Sequence, residues 1–328
     1  MPPARYNRAM IQVFHDAAGP PLAPGGSVLC VGAFDGVHRG HRALLDQVRR
    51  RADALGLPAA VVSFEPIPRE FFARTTPLLR LSDLHDKIEQ FEAAGIDILL
   101  SLNFDAELAH WEAERFIACV LVDRLQAREV FVGADFRFGH GRKGDVALLR
   151  AAGADAGFRV EVFPDFAVDG ARVRSSHIRE LLAAGDFDGA AALLGRRFRI
   201  GGTVVHGQQL GRRLGYPTAN IALGSRISPV NGIFAVRVHG LAGEPHPGVA
   251  SLGVRPTVDG SEPLLEAHLF DFDGDLYGRR LDVEFVAKLR DEEKFADLDA
   301  LVRQMDLDAA AARTILGLPQ AAKAGVTA

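Results

Sequence analysis

Two histidines, His38 and His41, lie three residues apart in the stretch Val31-Gly32-Ala33-Phe34-Asp35-Gly36-Val37-His38-Arg39-Gly40-His41. Imidazoles so spaced at the mouth of a helix can both turn toward one anion. Gly32, Gly36 and Gly40 let backbone approach a ligand with no Cβ in the way. The chemistry this suits is neutralisation of charge on a nucleoside triphosphate. Such chemistry needs elements to hold it. Ser27-Val28-Leu29-Cys30 is short, apolar and partly β-branched, the pattern of a buried strand. Ala43, Leu44, Leu45 and Val48 recur at helical spacing among Arg42, Asp46, Gln47, Arg49 and Arg50. The stretch is therefore predicted to join a strand to a helix N-terminus, whose unpaired N–H groups attract anions. A tight βα turn with solvated histidines is the plainer reading of the same residues.

Three further loops in the first half carry reactive groups. Phe64-Glu65-Pro66-Ile67-Pro68-Arg69-Glu70-Phe71-Phe72 follows the buried-strand pattern Ala59–Phe64, and its prolines fix the exit of the chain. Val132–Asp145 contains a formal G-x-G-x-x-G at Gly139, Gly141 and Gly144, with Asp165 near the spacing of a ribose-binding carboxylate. A dinucleotide fingerprint, however, should open a helix directly after a strand, and this one follows a charged, aromatic loop. Arg172–Arg179 places Ser175 and Ser176 ahead of Ile178, Leu181 and Leu182. Either serine fits an N-cap, and a capped N-terminus can also bind phosphate.

The second half offers a different set. His206–Asn220 carries Gly207, Gly211, Gly215, Arg212 and Arg213 ahead of Pro217-Thr218-Ala219-Asn220. A Gly/Arg loop can fold over phosphates. Thr218 and Asn220, two apart, face one side of a strand and offer neutral oxygens to one Mg²⁺. A basic hairpin with a Thr/Asn turn fits equally. Glu266 and His268 alternate with Leu265, Ala267 and Leu269. A carboxylate on a rigid strand beside a triphosphate can accept a hydroxyl proton, or can simply face solvent.

At 328 residues the chain is long enough for two domains. A formal net charge of −4 implies no general attraction to nucleic acid or anionic membrane. Cys30 and Cys119 lie in apolar surroundings and read as core residues of a reducing compartment. No apolar run spans a bilayer, and Arg5, Asn7 and Arg8 adjoin no apolar core of a secretory signal. A cytoplasmic protein is expected, with no nucleic-acid or membrane partner and at most weak or transient homo-oligomers. Strand and helix patterns alternate to about Leu194, which predicts an α/β domain with a mostly parallel sheet and ligands beyond the strands' carboxyl ends. Short strand-like runs follow from Phe198 to Leu289, separated by Gly, Pro, Asn and Asp turns, which predicts a small antiparallel barrel or sandwich. Helices are expected at Phe295–Gln304 and Leu307–Leu316. The division is placed at 1–194, 195–318 and a frayed tail, 319–328.

The first stretch resembles the G-x-F-D-G-x-H-x-G-H signature of bacterial FAD synthetases, with Gly32, Phe34, Asp35, Gly36, His38, Gly40 and His41 in place. Val132–Gly139 is similar to their V-G-x-D-F-R-F-G motif, and Ser175–Arg179 to S-[ST]-x-I-R. Ile67 stands where many members have His, and Arg174 replaces a common serine. The order G-x-x-L-G-R-x-L-G-Y-P-T-A-N, Asn231–Phe234, Gly253–Thr257, Glu266 and Asp271–Gly278 resembles riboflavin kinases. The resemblance implies a Rossmann-like nucleotidyltransferase domain followed by a kinase barrel with packed helices. It implies riboflavin, FMN and ATP as substrates, with Mg²⁺ accompanying ATP. His38, His41 and Arg179 would neutralise charge on the leaving pyrophosphate. Ser175 and Ser176 would hold phosphates with Arg179. Asp135 and Phe136 would border the flavin and adenine. In the barrel Thr218 and Asn220 would ligate Mg²⁺, Gly207 and Arg212 belong to the phosphate loop, Glu266 would activate the ribityl hydroxyl, and Arg290 and Phe295 would border the flavin. Two rivals stand beside this: an NAD-dependent oxidoreductase resting on Gly139–Gly144, and a non-catalytic flavin-nucleotide sensor or carrier.

Overall fold

A computed structural model describes residues 10–73, 78–207, 210–224, 226–257 and 260–320. Arg5, Asn7 and Arg8, the loop residues Gln208 and Gln209, and 321–328 of the expected tail lie outside the described residues. The elements run β1 (Gln12–Phe14), β2 (Ser27–Val31), α1 (Arg39–Leu55), β3 (Ala59–Glu65), α2 (Pro68–Phe72), α3 (Leu84–Ala93), β4 (Ile98–Asn103), α4 (Ala106–Ala109), α5 (Ala113–Phe116), β5 (Ala127–Gly133), α6 (Val146–Ala156) and β6 (Arg159–Phe163). There follow the hairpin β7 (Ala167–Val168) and β8 (Ala171–Arg172), then α7 (Ser175–Ala183), α8 (Phe187–Leu194), β9 (Arg199–Val205), α9 (Leu210–Arg213), β10 (Ala219–Ala222), β11 (Gly232–His239), β12 (His246–Thr257), β13 (Gly260–Leu269), β14 (Arg280–Arg290) and α10 (Leu298–Leu316). Contacts group the chain into two compact units, one reaching Leu78 and resuming over Ser82–Ser175, the other comprising Leu79–Leu81 and the chain from Ser176. Most of α7, and α8, thus group with the barrel.

The first unit holds a wholly parallel sheet in the order β1-β4-β3-β2-β5-β6. Central β2 is buried throughout because both its faces are covered. Val28 and Cys30 meet Leu45 and Val48 of α1 and Phe91 of α3 on one side. Leu29 and Val31 meet Phe116, Ile117, Val120 and Leu149 on the other, as the two-residue side-chain period requires. Strands are added outward from β2 in one direction and from β5 in the other. The crevice beyond their carboxyl ends is therefore where such a sheet binds ligands.

The helical stretch from Ala113 to Arg124 is only partly α-helical. After α5 the chain widens to a π-helical segment, Ile117–Arg124, whose terminal Arg124 is buried and donates to the carbonyls of Asp16 and Pro20. Cys30 and Cys119 are both free thiols, and complete burial pushes the Cys30 thiol well up.

The second unit is a closed antiparallel barrel, β10-β13-β12-β11-β14-β9. Phe234, Val236 and Val238 are all buried, and Phe187 of α8 packs on Phe234 and Phe285. Between them Ala235 packs with Phe270 and Ala312 under α10. The two expected C-terminal helices are one. No Gly or Pro interrupts Leu298–Leu316. Asp297 caps the start by accepting the Ala300 N–H, and Gly317 ends the helix at φ 73. Leu307, the expected start of the second helix, is exposed in the middle of the single one. A short helix, α9, also lies in the Gly/Arg loop. Among the described residues no helix is long and apolar enough to cross a membrane.

Candidate active sites

In the first unit, β2 delivers the chain to α1 through the predicted loop. His38 is the N-cap of α1: its backbone is extended and its Nδ1 accepts the His41 N–H at 3.3 Å. The two imidazoles stack, centroids 3.7 Å apart and planes 11° from parallel. An accepting Nδ1 leaves the proton of neutral His38 on Nε2. The glycines serve mainly to admit rings. A Cβ at Gly40 would meet the His38 ring at 3.3 Å, and one at Gly32 would meet the Phe34 ring at 3.1 Å. Phe34 is buried, edge-on to His41 at 5.1 Å and to Phe91 at 5.3 Å, so it backs the histidine pair from the core.

Asp35 is buried and ties the loop together. Its carboxylate accepts the Ser82 N–H at 3.1 Å and the Ser82 hydroxyl at 3.4 Å, and Ser82 Oγ accepts the Gly36 N–H at 2.8 Å. The Asp35 carbonyl accepts the Ser175 hydroxyl at 2.9 Å. This brings two predicted motifs together through a backbone oxygen. Phe34, Gly36 and Val37 all take positive φ, at 51°, 82° and 36°. For β-branched Val37 that is an outlier costing on the order of 1–3 kcal/mol, of the kind that gathers at functional loops.

After β5, Asp135 is exposed and pairs with Arg172 at 3.1 Å, and Arg172 also binds Asp165 at 2.9 Å. Phe136 stacks on Phe138 at 5.2 Å. The Gly139–Gly144 segment is not a nucleotide cradle. A Cβ at Gly139 would lie 2.7 Å from the Ala113 backbone nitrogen, and one at Gly144 would lie 2.8 Å from the Ala113 side chain. His140 N–H adds a bond to the Trp111 carbonyl at 2.7 Å. These glycines let the loop lie against α5. Asp145 caps α6, accepting the Leu148 N–H at 2.9 Å, and that bond holds its carboxyl below the usual range. A pyrophosphate there would meet a negative charge, and Asp165 is engaged with Arg172.

Phe71 and Phe72 carry no assigned role in the sequence reading of their loop. They follow β3 and are 38% and 61% exposed, with Phe104 after β4 against both at 5.4 and 5.8 Å. Their signal was an aromatic pair behind two prolines. Lys87, fully buried, donates to the Phe64 carbonyl at 3.3 Å and to Glu65 at 3.1 Å beneath the same turn. Ile67 is buried, so the departure from His falls on an interior position.

In the second unit, Ser176 is exposed in the first turn of α7, and Arg179 donates through Nε to the Leu79 carbonyl at 2.5 Å. A cavity of about 310 Å³ in the barrel collects Thr218, Glu266, Arg290 and Phe295 of the predicted set, together with Gly211 and His268. Thr218 Oγ1 donates to Glu266 Oε1 at 3.5 Å. Asn220 is buried and pairs directly with Glu266 across β10 and β13. Gly207 lies against its amide, where a Cβ would come within 2.4 Å. Arg212, on α9, is exposed.

Arg290 is locked rather than free. Its Nε donates to both Asp308 oxygens at 3.0 and 3.1 Å and its Nη2 to one at 2.8 Å, and the cation sits over the Phe295 ring at 5.6 Å. Tyr216, unassigned in the sequence, donates its hydroxyl to Asp306, and burial with that carboxylate pushes its phenol up. Burial holds the half-buried His268 imidazole below its usual pKa, so it is neutral near pH 7.

These two arrangements match known proteins. A family model for FAD synthetase matches residues 21–177, and one for riboflavin kinase matches 194–316. A bifunctional riboflavin kinase/FMN adenylyltransferase of Pseudomonas fluorescens is 48% identical over 291 residues, covering 88% of this chain and 93% of that protein. The namesake of Escherichia coli K12 is 44% identical over 297 residues, covering 90% and 95%. A crystal structure described as a macrolide-efflux protein from Streptococcus pneumoniae superposes with a TM-score of 0.73 at 28% identity, covering 92% of this chain and 97% of that one. The efflux description applies to that protein. The FAD synthetase match takes in the His38–His41 loop, Ser175 and Ser176 but ends before Arg179, and the riboflavin kinase match takes in Thr218, Glu266 and Arg290. On this evidence the chain belongs to the family of bifunctional riboflavin kinase/FMN adenylyltransferases.

Proposed function

We infer that the protein makes FMN from riboflavin and ATP in its barrel, and FAD with pyrophosphate from FMN and ATP in its α/β unit. The functional division we propose is 1–194 and 195–318. The observation that carries the kinase half is the Thr218–Glu266 contact inside a cavity bounded by Arg290 and Phe295. Glu266 accepts the proton of the ribityl hydroxyl as its oxygen bonds the γ-phosphorus, and ADP leaves. Arg290, held by Asp308, and Phe295 border the flavin, while Gly207 and Arg212 belong to the loop over the phosphates. Asn220, the cross-strand partner of Glu266, and Thr218, whose hydroxyl meets Glu266, offer uncharged oxygens, a donor set that fits Mg²⁺. Bound with ATP, the ion supplies neutralisation of phosphate charge.

In the α/β unit the nucleophile is the FMN phosphate, which is already ionised, so no base is required. Its oxygen bonds the α-phosphorus and pyrophosphate leaves. His38 through Nε2–H and His41 stabilise the charge on the leaving group; the phosphate roles of Ser175, Ser176 and Arg179 rest on the resemblance of their motif alone. Asp135 and Phe136 border the flavin and adenine. The exposed Phe71 and Phe72 rings, beyond the carboxyl ends of the parallel strands, form a stacking surface for isoalloxazine. Chromatography of a reaction containing riboflavin, Mg²⁺ and ATP tests the whole reading. FMN and then FAD should accumulate over many turnovers. Flavin bound but not converted to FMN or FAD would indicate a carrier instead.

A further inference from the structure

We propose that His268 is a positioning residue of the kinase centre: its Nδ1–H bond to the Pro217 carbonyl fixes the segment that presents Thr218 to Glu266. The inference rests on the reading of Glu266 and Thr218 given above. Regular pairing of β10 with β13 begins at Ala219↔Ala267, followed by Asn220↔Glu266. Continued by one step, this register sets Thr218 opposite His268. The strand does not continue regularly there, because Pro217 has no N–H to give. Thr218, the residue whose hydroxyl meets Glu266, therefore lies just outside the ladder.

The side chain of His268 supplies what the ladder lacks. Its Nδ1 lies 2.8 Å from the Pro217 carbonyl oxygen. A carbonyl only accepts, so the proton is on Nδ1. Tyr216 braces the same segment, with its ring edge-on to His268 at 5.2 Å and its hydroxyl on Asp306 of α10. Residues 216–218 are thus held from β13 on one side and α10 on the other. The contact they sustain is at the limit of hydrogen bonding, 3.5 Å from Thr218 Oγ1 to Glu266 Oε1. A small drift of the segment breaks it.

The test uses the full chain with three substitutions. In His268→Asn the amide N–H can replace Nδ1–H. In His268→Gln the amide is carried one carbon further out, and His268→Leu has no donor. FMN formation is measured as kcat, riboflavin KM and the Mg²⁺ concentration for half-maximal rate. FAD formation from supplied FMN, in the same preparations, reports that the chain is folded. His268→Leu and His268→Gln should lose roughly tenfold or more in kinase kcat and need more Mg²⁺, with riboflavin KM and FAD formation unchanged; misplacement of about 1 Å has effects of this order. His268→Asn should stay within about threefold of the parent, as a restored position implies. A kinase rate that is the same in the Asn and Gln variants, or normal in the Leu variant, overturns the proposal. If the Leu variant fails to fold, the Asn and Gln pair decides alone. Glu266→Gln separates the two levels. If it makes FMN at the parental rate, the kinase centre is misassigned and this inference falls with it. If it is inactive while His268→Leu is normal, only the role of His268 is wrong.

Discussion

His38 accepts the backbone N–H of His41 through Nδ1 while its ring lies 3.7 Å over the ring of His41. One side chain therefore starts the helix and forms half of the imidazole pair. The two duties can be separated, because Asn caps helices well and carries no imidazole. His38→Asn should be more stable than His38→Ala by about 1 kcal/mol, the usual worth of an N-cap. Both should lose roughly a hundredfold in FAD formation from supplied FMN, the scale of one lost stabilising donor. FMN formation from riboflavin should be untouched. Parental FAD formation in His38→Asn would show that the imidazole matters only as a cap.

Glu266 sits on a paired strand, opposite buried Asn220 and against the Thr218 hydroxyl, so truncating it leaves the barrel ladder intact. Glu266→Ala should reduce FMN formation by about 10²–10⁴, the range for a general base. Adenylylation of supplied FMN should continue at the parental rate. Comparable loss of both activities would refute the division of labour between the two units.

Gly139 and Gly141 belong to the same formal fingerprint yet have different surroundings. Gly139 combines φ 71 with the Ala113 backbone 2.7 Å from any added Cβ, whereas Gly141, at φ 63, meets only the flexible Lys143 side chain at 4.0 Å. Gly139→Ala should therefore cost roughly 3 kcal/mol and Gly141→Ala roughly 1 kcal/mol, read as a clear difference in Tm. NAD(H) should leave the Tm of the parent unchanged. A rise in Tm with NAD(H) that either substitution abolishes would restore the dinucleotide reading.

Much of this was legible in the sequence because the informative residues are local. The run Ser27–Cys30, the glycine loop and the spacing of Leu44, Leu45 and Val48 each follow from rules that span a single turn or strand, and β2 and α1 lie where they point. Less legible was what each loop residue touches. Asp35 and Phe34 sit in the phosphate signature, but one is spent on Ser82 and the other on the core behind His41. Those partners are 47 residues away in one case and across a packed interior in the other, so no local spacing announces them. The same holds for Arg290, whose position depends on Asp308 of α10, and for Tyr216, fixed by Asp306. The single helix Leu298–Leu316, expected as two, has exposed Leu307 in its middle, and no local breaker marks it as continuous or divided.

The sheet itself carries a pH-dependent element away from either site. Glu129 of β5 is nearly buried and receives two hydrogen bonds from Arg51 of α1, at 2.8 and 2.5 Å. The Arg51 bonds hold its carboxyl below the usual range, which outweighs the opposing effect of burial. A depressed carboxylate stabilises the fold fully above its unfolded pKa, about 4.3. That stability is lost as pH falls through the lower folded value, because the unfolded chain then binds the proton first. Glu129→Gln removes the charge but keeps the shape, and should cost roughly 2 kcal/mol at pH 7, as for hydrogen bonds to a charged partner. The difference in Tm between parent and variant should be constant from pH 7 to about 5 and should shrink below about 4.3, where the unfolded parent takes up its proton before the folded one does. Neither chain should show this convergence at the alkaline end, since Arg51 keeps its charge there. A Tm difference as large at pH 3.5 as at pH 7 would mean that the Gln variant fails through packing, and that the ion pair contributes little.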